Sequence, residues 1–294
     1  MRRILEDTFG KAQIEDFAEH LFGEESIDAF LEHQKGSFVD IGKAAIAAAL
    51  LPFERGLDLD FRFIERRLES FFDREGEKER TANNWYQLLW GELNASFDEF
   101  DKNKLRIITF NYDRSLEHYL FTRLKRRFPD KTNKECAAKI CPIVHIHGSL
   151  GSLPYEKLTG KSQSECVPYD AMDRAWSKPH EMKKWFDIAR KNIRVIHEDV
   201  EETPELRQAW EWLGNCTRIH FLGFGYHPTN IKRLKMDSLT PRKHVMGTVL
   251  GLSYGRERDV KALLRDVSIT HGMDGIFDTD VYTCLHDCVS LTMG

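Results

Sequence analysis

The sequence lacks any apolar run long enough to span a bilayer. Its longest, "AAIAAALLPF" at residues 44–53, falls far short of the roughly 20 residues that a membrane helix needs. The N-terminus, "MRRILEDTFG", turns acidic at once and has no apolar signal core, so the expectation is a cytoplasmic protein without a membrane partner. Charge of one sign is also lacking: 43 basic and 47 acidic residues leave a net charge of −4, with no bulk cationic field to draw nucleic acid. The basic run "RLKRRF" (123–128) closes a helical pattern, where cations favour the helix dipole, and nucleic acid is not an expected partner. Among the six cysteines no C-x-x-C pair occurs, and without an export signal they do not read as a disulfide scaffold. Cys284, His286 and Cys288 in "CLHDC" form the one metal-like cluster. Alternate spacing would let them converge from a strand, but no fourth ligand is evident, and ordinary thiols are the better reading. Repeats and low-complexity tracts are absent. What remains is 294 residues, 41% apolar and 31% charged, an ordinary globular profile for one large domain or two modest ones.

Two textures divide the chain. Residues 1–103 read as a mostly helical region: Phe61, Ile64, Leu68, Phe71 and Phe72 recur at helical spacing, as do Trp85, Leu88, Leu89, Leu93 and Phe97 after an asparagine able to cap. From 104 to 294 short apolar runs alternate with helical patterns. Strands are expected at 105–110, 142–148, 193–197, 218–225 and 244–253, and helices at 170–191, 204–214, 228–236 and 256–265 as well as after Asp113. This alternation predicts an α/β fold, a Rossmann-like doubly wound parallel sheet with the helical N-terminal region packed on it. Ligands in such folds sit at the carboxyl ends of strands.

The strand ends therefore carry the argument. The first ends in Asn111 and Asp113, the second in His147, Gly148 and Ser149, the fourth in Gly223 and Gly225, and the fifth in Gly251 and Ser253. Each has a structural alternative. Asp113 in particular suits a helix cap, His145 shares the strand face of His147, and the glycines suit positive-φ turns. Their coincidence at equivalent topological places favours a shared site.

"TFNYD" (109–113), "HIHGSL" (145–150) and "FLGFGYHPTNI" (221–231), in this order, resemble the SIR2-like family. That family includes the sirtuin deacylases and, closer to this chain, the NAD-consuming SIR2-like modules of bacterial phage defence. The resemblance covers about the second two-thirds of the sequence. It implies that Asn111 and Asp113 orient the nicotinamide ribose and a water, flanked by Thr109 and Phe110. His147, beside Gly148, would act as a base, which suits an imidazole whose free pKa lies near neutrality. Gly223 and Gly225 would admit the phosphates or adenosine ribose, with Gly251 and Ser253 at the adenosine end.

The departures from the family pattern matter too. Phe110 stands where sirtuins carry a glutamine, and the sirtuin zinc module is missing. The first removes part of the ribose hydrogen-bonding set; the second points away from a deacylase and towards the defence branch. The glycine-rich loop that cradles the pyrophosphate in the family is not found either, so the expectation is a truncated or misassigned start, or a loss of full NAD binding. The implied function is an NAD glycohydrolase that releases nicotinamide in antiviral defence. No metal cofactor is expected, and the partners would be a second copy or a sensor domain. The alternative is an inactive NAD or ADP-ribose sensor or scaffold. A third reading takes Asp113, His145 and His147 as ligands of a metal-dependent hydrolase.

Overall fold

The computed structural model describes residues 2–24, 26–54, 84–93, 95–160, 165–175, 179–194, 202–236, 239–269 and 275–288. The helical stripe expected at 57–72 lies outside them. The chain forms two compact units, one comprising Met1–Gly76 and Phe97–Glu201, the other Glu77–Ser96 and Glu202–Gly294. The helical and alternating halves of the sequence therefore do not map one to one onto the units.

The first unit begins with helices Arg2–Phe9, Lys11–Leu21, Ile27–Glu32 and Ser37–Leu50. The last of these buries Val39, Ile41, Ala44 and Ala47, a stripe of small and branched side chains that allows close approach. It packs against Pro179–Asn192, which contributes Trp185, Phe186, Ile188 and Ala189 to the same core. Strand β1 (Ile107–Thr109) pairs in parallel with β2 (Ile143–His145), placing Thr109 opposite His145. Between them run helices Ser115–Arg127 and Asn133–Lys139. The longer buries Leu116, Leu120 and Leu124 at a spacing of four and ends in Lys125, Arg126 and Arg127, where cations oppose the negative end of the dipole. Helix Asn133–Lys139 opens with a capping box from Thr132 and Glu135. Beyond β2, the Arg194 N–H donates to the His147 carbonyl at 2.8 Å. Residues 195–197 of the expected third strand lie outside the described residues.

In the second unit three parallel strands, β3 (Arg218–Phe221), β4 (His244–Thr248) and β5 (Ile276–Phe277), lie in the order β3-β4-β5. Helix Pro204–Asn215, capped by Thr203, precedes β3, and Pro228–Arg233 follows it; Tyr254–Val267 follows β4. The fold is thus mixed α/β with two small parallel sheets, and every described strand lies beyond residue 104. Strands β1 to β4 are each shorter than the apolar run that contains them, and β5 falls where no strand was expected. Helix Trp85–Glu92 also ends early, so Leu93 and Phe97 do not extend its stripe, while Trp90 is buried within it. "CLHDC" is helical rather than extended: Cys284–Cys288 continue the turn of Val281–Thr283. The alternate spacing therefore cannot bring Cys284, His286 and Cys288 to one strand face. No described helix is long and apolar enough to cross a membrane.

Candidate functional site

In the first unit, parallel pairing of β1 and β2 brings their carboxyl ends side by side. The Ile146 N–H donates to the Thr109 carbonyl at 2.9 Å and the Leu150 N–H to the Tyr112 carbonyl at 3.1 Å, so the segments remain neighbours past the strands. Asn111 is exposed at this edge, and its N–H donates to Thr109 Oγ1 at 3.1 Å. His147 is 3% exposed. Its ring lies 5.3 Å from that of Phe110 and 6.3 Å from that of Tyr112, between centroids, so the two neighbours of Asn111 in sequence contact the candidate base. Tyr112 donates its hydroxyl to Asp28 Oδ1 at 2.9 Å, which ties the turn to the N-terminal helices.

Gly148 cannot be replaced here without distortion. Its φ is +72°, and a Cβ would stand 1.9 Å from the Asn192 carbonyl oxygen. The glycine after the histidine thus serves a close backbone crossing. Asp113 stands one residue ahead of the cap position, which Arg114 occupies, and braces the helix start: Oδ1 accepts from the Ser115 N–H at 3.1 Å and from the Ser115 hydroxyl.

Behind this edge lie two buried ion pairs that sequence reasoning missed. Arg114, 2% exposed, directs its backbone N–H (2.8 Å), Nε (3.2 Å) and Nη2 at the Glu54 carboxylate. Its Nη1 donates to the carbonyls of Gly151 at 3.1 Å and Val167 at 2.7 Å. Burial works against the charge on Arg114, but Glu54 outweighs it and holds the guanidinium above its ordinary value. Burial likewise lifts the Glu54 carboxyl, opposing the charge that the pairing favours. With three N–H groups of one residue aimed at it, we take the carboxylate as ionised. In the second pair, His145 Nε2 meets Glu117 Oε1, and Nδ1 lies 2.7 Å from the Asn111 carbonyl. Burial would lower the His145 pKa, yet Glu117 and the Asn111 carbonyl outweigh it and raise it to about 9. Glu117 was legible as a carboxylate on the Leu116–Leu120–Leu124 stripe, a position that is seldom charged without a partner. Nothing in the sequence marks Glu54 as the partner of Arg114.

His118, on the same helix, stacks on Tyr169 with centroids 4.1 Å apart, and Tyr155 stacks on Phe121 at 3.8 Å. His118 Nδ1 and the Tyr155 hydroxyl are buried without a hydrogen-bond partner among the described residues. Burial, then the charge of Arg114, pushes His118 down to about 4.

In the second unit the remaining candidates gather at the carboxyl ends of β3 and β4. Gly223 adopts φ +62° and donates its N–H to Thr248 Oγ1 at 2.9 Å. The Gly225 carbonyl accepts from Arg256 Nη2 at 3.5 Å, Gly251 takes φ +82°, and Ser253 caps Tyr254–Val267. The turn after β3 also holds what sequence reasoning passed over. Tyr226 is 4% exposed and at φ +50°; its hydroxyl, His227 Nδ1 and Asn230 Oδ1 are buried without a hydrogen-bond partner among the described residues. Burial raises the Tyr226 phenol above its ordinary range, so it stays protonated.

Thr109, Phe110, Asn111, Asp113, His147 and Gly148 are therefore brought together in one unit, and Gly223, Gly225, Gly251 and Ser253 in the other. Among the described residues no group of three or more His, Cys, Asp or Glu side chains stands as a metal set. Both His145 nitrogens face protein acceptors and Asp113 Oδ1 is engaged by Ser115, so in the Asp113–His145–His147 reading His145 would have to give up a protein partner to bind a metal. Comparison of the chain with protein families, curated proteins and solved structures finds no match.

Proposed function

We propose that the protein is a SIR2-like NAD glycohydrolase with a Rossmann-like core, acting in the cytoplasm in antiviral defence. One observation carries the reading: the β1–β2 register sets "TFNYD" beside "HIHGS", with Asn111 at the edge and the His147 ring against Phe110 and Tyr112. The unpartnered Tyr226, His227 and Asn230 atoms support a ligand-contacting role for the turn after β3. In the reaction the glycosidic C–N bond breaks with its electron pair going to nicotinamide, leaving a cationic ribose. Water then bonds to the anomeric carbon and gives its proton to His147. The Asn111 amide orients the ribose and that water, and orientation together with charge stabilisation supplies the rate.

The test is nicotinamide release from NAD by the purified protein. Turnover by wild type, with losses of about 100-fold or more in Asn111→Ala and His147→Ala, is the expected result. No release, or equal release by the variants, sinks the assignment.

One observation favours the second reading, an inactive sensor of NAD or ADP-ribose: Oδ1 of the Asp113 carboxylate is engaged twice by Ser115. Calorimetry separates the two, because binding without turnover supports the sensor.

A further inference from the structure

His145 faces two acceptors, the Glu117 carboxylate at Nε2 and the Asn111 carbonyl at Nδ1. A neutral imidazole carries one N–H and can satisfy only one of them; an imidazolium satisfies both. The pair is sheltered, with side-chain exposures of 13% for His145 and 9% for Glu117, so the charge-assisted bonds compete little with water. It also joins three elements, the end of β1, the end of β2 and the first turns of Ser115–Arg127. The Asn111 backbone is held on both sides, by Thr109 Oγ1 at its N–H and by His145 at its carbonyl.

We propose that His145 is a positioning residue, an imidazolium clamp that fixes Asn111 at the strand edge and releases it when the ring loses one proton. The claim about positioning rests on the NAD-cleaving reading; the claim about the clamp does not. The charged groups that bear on the ring are Glu117 from its own pair and Glu156 from Pro154–Leu158. Arg114, itself paired with Glu54, acts in turn on both carboxylates. From β1 the ring's register partner is the uncharged Thr109. Despite burial, these surroundings keep the ring charged until the pH passes about 9. Above that, the single remaining proton stays on Nε2, facing the charged Glu117. The Asn111 carbonyl then loses its donor.

Two measurements on the full chain test this. Long-range ¹H–¹⁵N spectra, with the His145 signals assigned by their loss in His145→Gln, should show both ring nitrogens protonated at pH 7.5. They should titrate near 9 in wild type and closer to 6.5 in Glu117→Gln; a neutral His145 ring at pH 7.5 overturns the clamp. Kinetics on NAD test the positioning. His145→Gln should lower kcat about 10-fold with KM changed less than about threefold, because a shifted Asn111 weakens transition-state more than ground-state contacts. Glu117→Gln, whose amide can donate to Nε2 and leave an Nδ1–H for Asn111, should lose less and should lack the wild-type decline in kcat above pH 9. An unchanged kcat in His145→Gln, or the same alkaline decline in Glu117→Gln, overturns the positioning role. A wild type without turnover overturns the NAD reading and positioning with it, while the spectra still decide the clamp.

Discussion

Two sets of polar groups beside the strand ends, one in each unit, differ in how they are met, although the first unit also buries His118 Nδ1 and the Tyr155 hydroxyl without a partner among the described residues. In the first, Arg114, Glu117, His145 and Asp113 are each met by a protein partner. In the second, the turn after β3 buries the Tyr226 hydroxyl, His227 Nδ1 and Asn230 Oδ1 with none among the described residues. Satisfied buried charges make a rigid frame that is costly to break. Unsatisfied buried dipoles raise the energy of the folded state and leave donors and acceptors for water or a ligand. The first set is held in place by its partners; the second is not.

The largest expected effect comes from breaking the frame. Arg114→Met leaves Glu54 buried and unpaired and should cost about 3–5 kcal/mol in urea unfolding, whereas Arg114→Met with Glu54→Leu should recover much of the loss. Equal losses in the single and double variants would deny the pair its place in the frame.

The next effect is in pH. The folded-state pKa of His145, about 9, lies above its ordinary 6.5. Its contribution to stability is therefore complete below pH 6.5 and is lost as pH rises through 9, on the order of 3 kcal/mol. His118 runs the other way: held down at about 4, it contributes above pH 6.5 and withdraws stability as pH falls towards 4. Stability should therefore peak near pH 6.5, with His145→Gln flattening the alkaline side and His118→Phe the acid side. A profile unchanged by either substitution would contradict these assignments.

The smallest effect sharpens the contrast. Tyr226→Phe removes a hydroxyl that has no hydrogen-bond partner among the described residues, so thermal unfolding should shift by no more than about 0.5 kcal/mol. NAD or ADP-ribose binding should weaken in the same variant. A large stability loss would mean that the hydroxyl is a structural group after all.

Much of the α/β alternation was legible, because apolar runs and helical stripes report burial directly. The runs "LRIITF" and "PIVHIHG" contain β1 and β2, and the stripe after Asp113 forms Ser115–Arg127. Less legible was whatever depends on distant partners. Arg114 sits inside a motif read for its neighbours, and its acceptor is 60 positions away. Glu54 follows an apolar run and could equally have faced solvent. Gly148 was readable as a turn glycine, but the Asn192 carbonyl that requires it comes from another helix. "CLHDC" went the other way: alternate spacing fits a strand, yet Asp280 accepts from the Thr283 N–H and starts a helix just ahead of it.

The most direct test of the central claim is a single assay series of nicotinamide release from NAD by wild type, Asn111→Ala and His147→Ala, with the fold of each checked by circular dichroism. Wild type should turn NAD over, and both folded variants should lose about 100-fold or more. A wild type that binds NAD without releasing nicotinamide, or variants that release it at the wild-type rate, would contradict that claim.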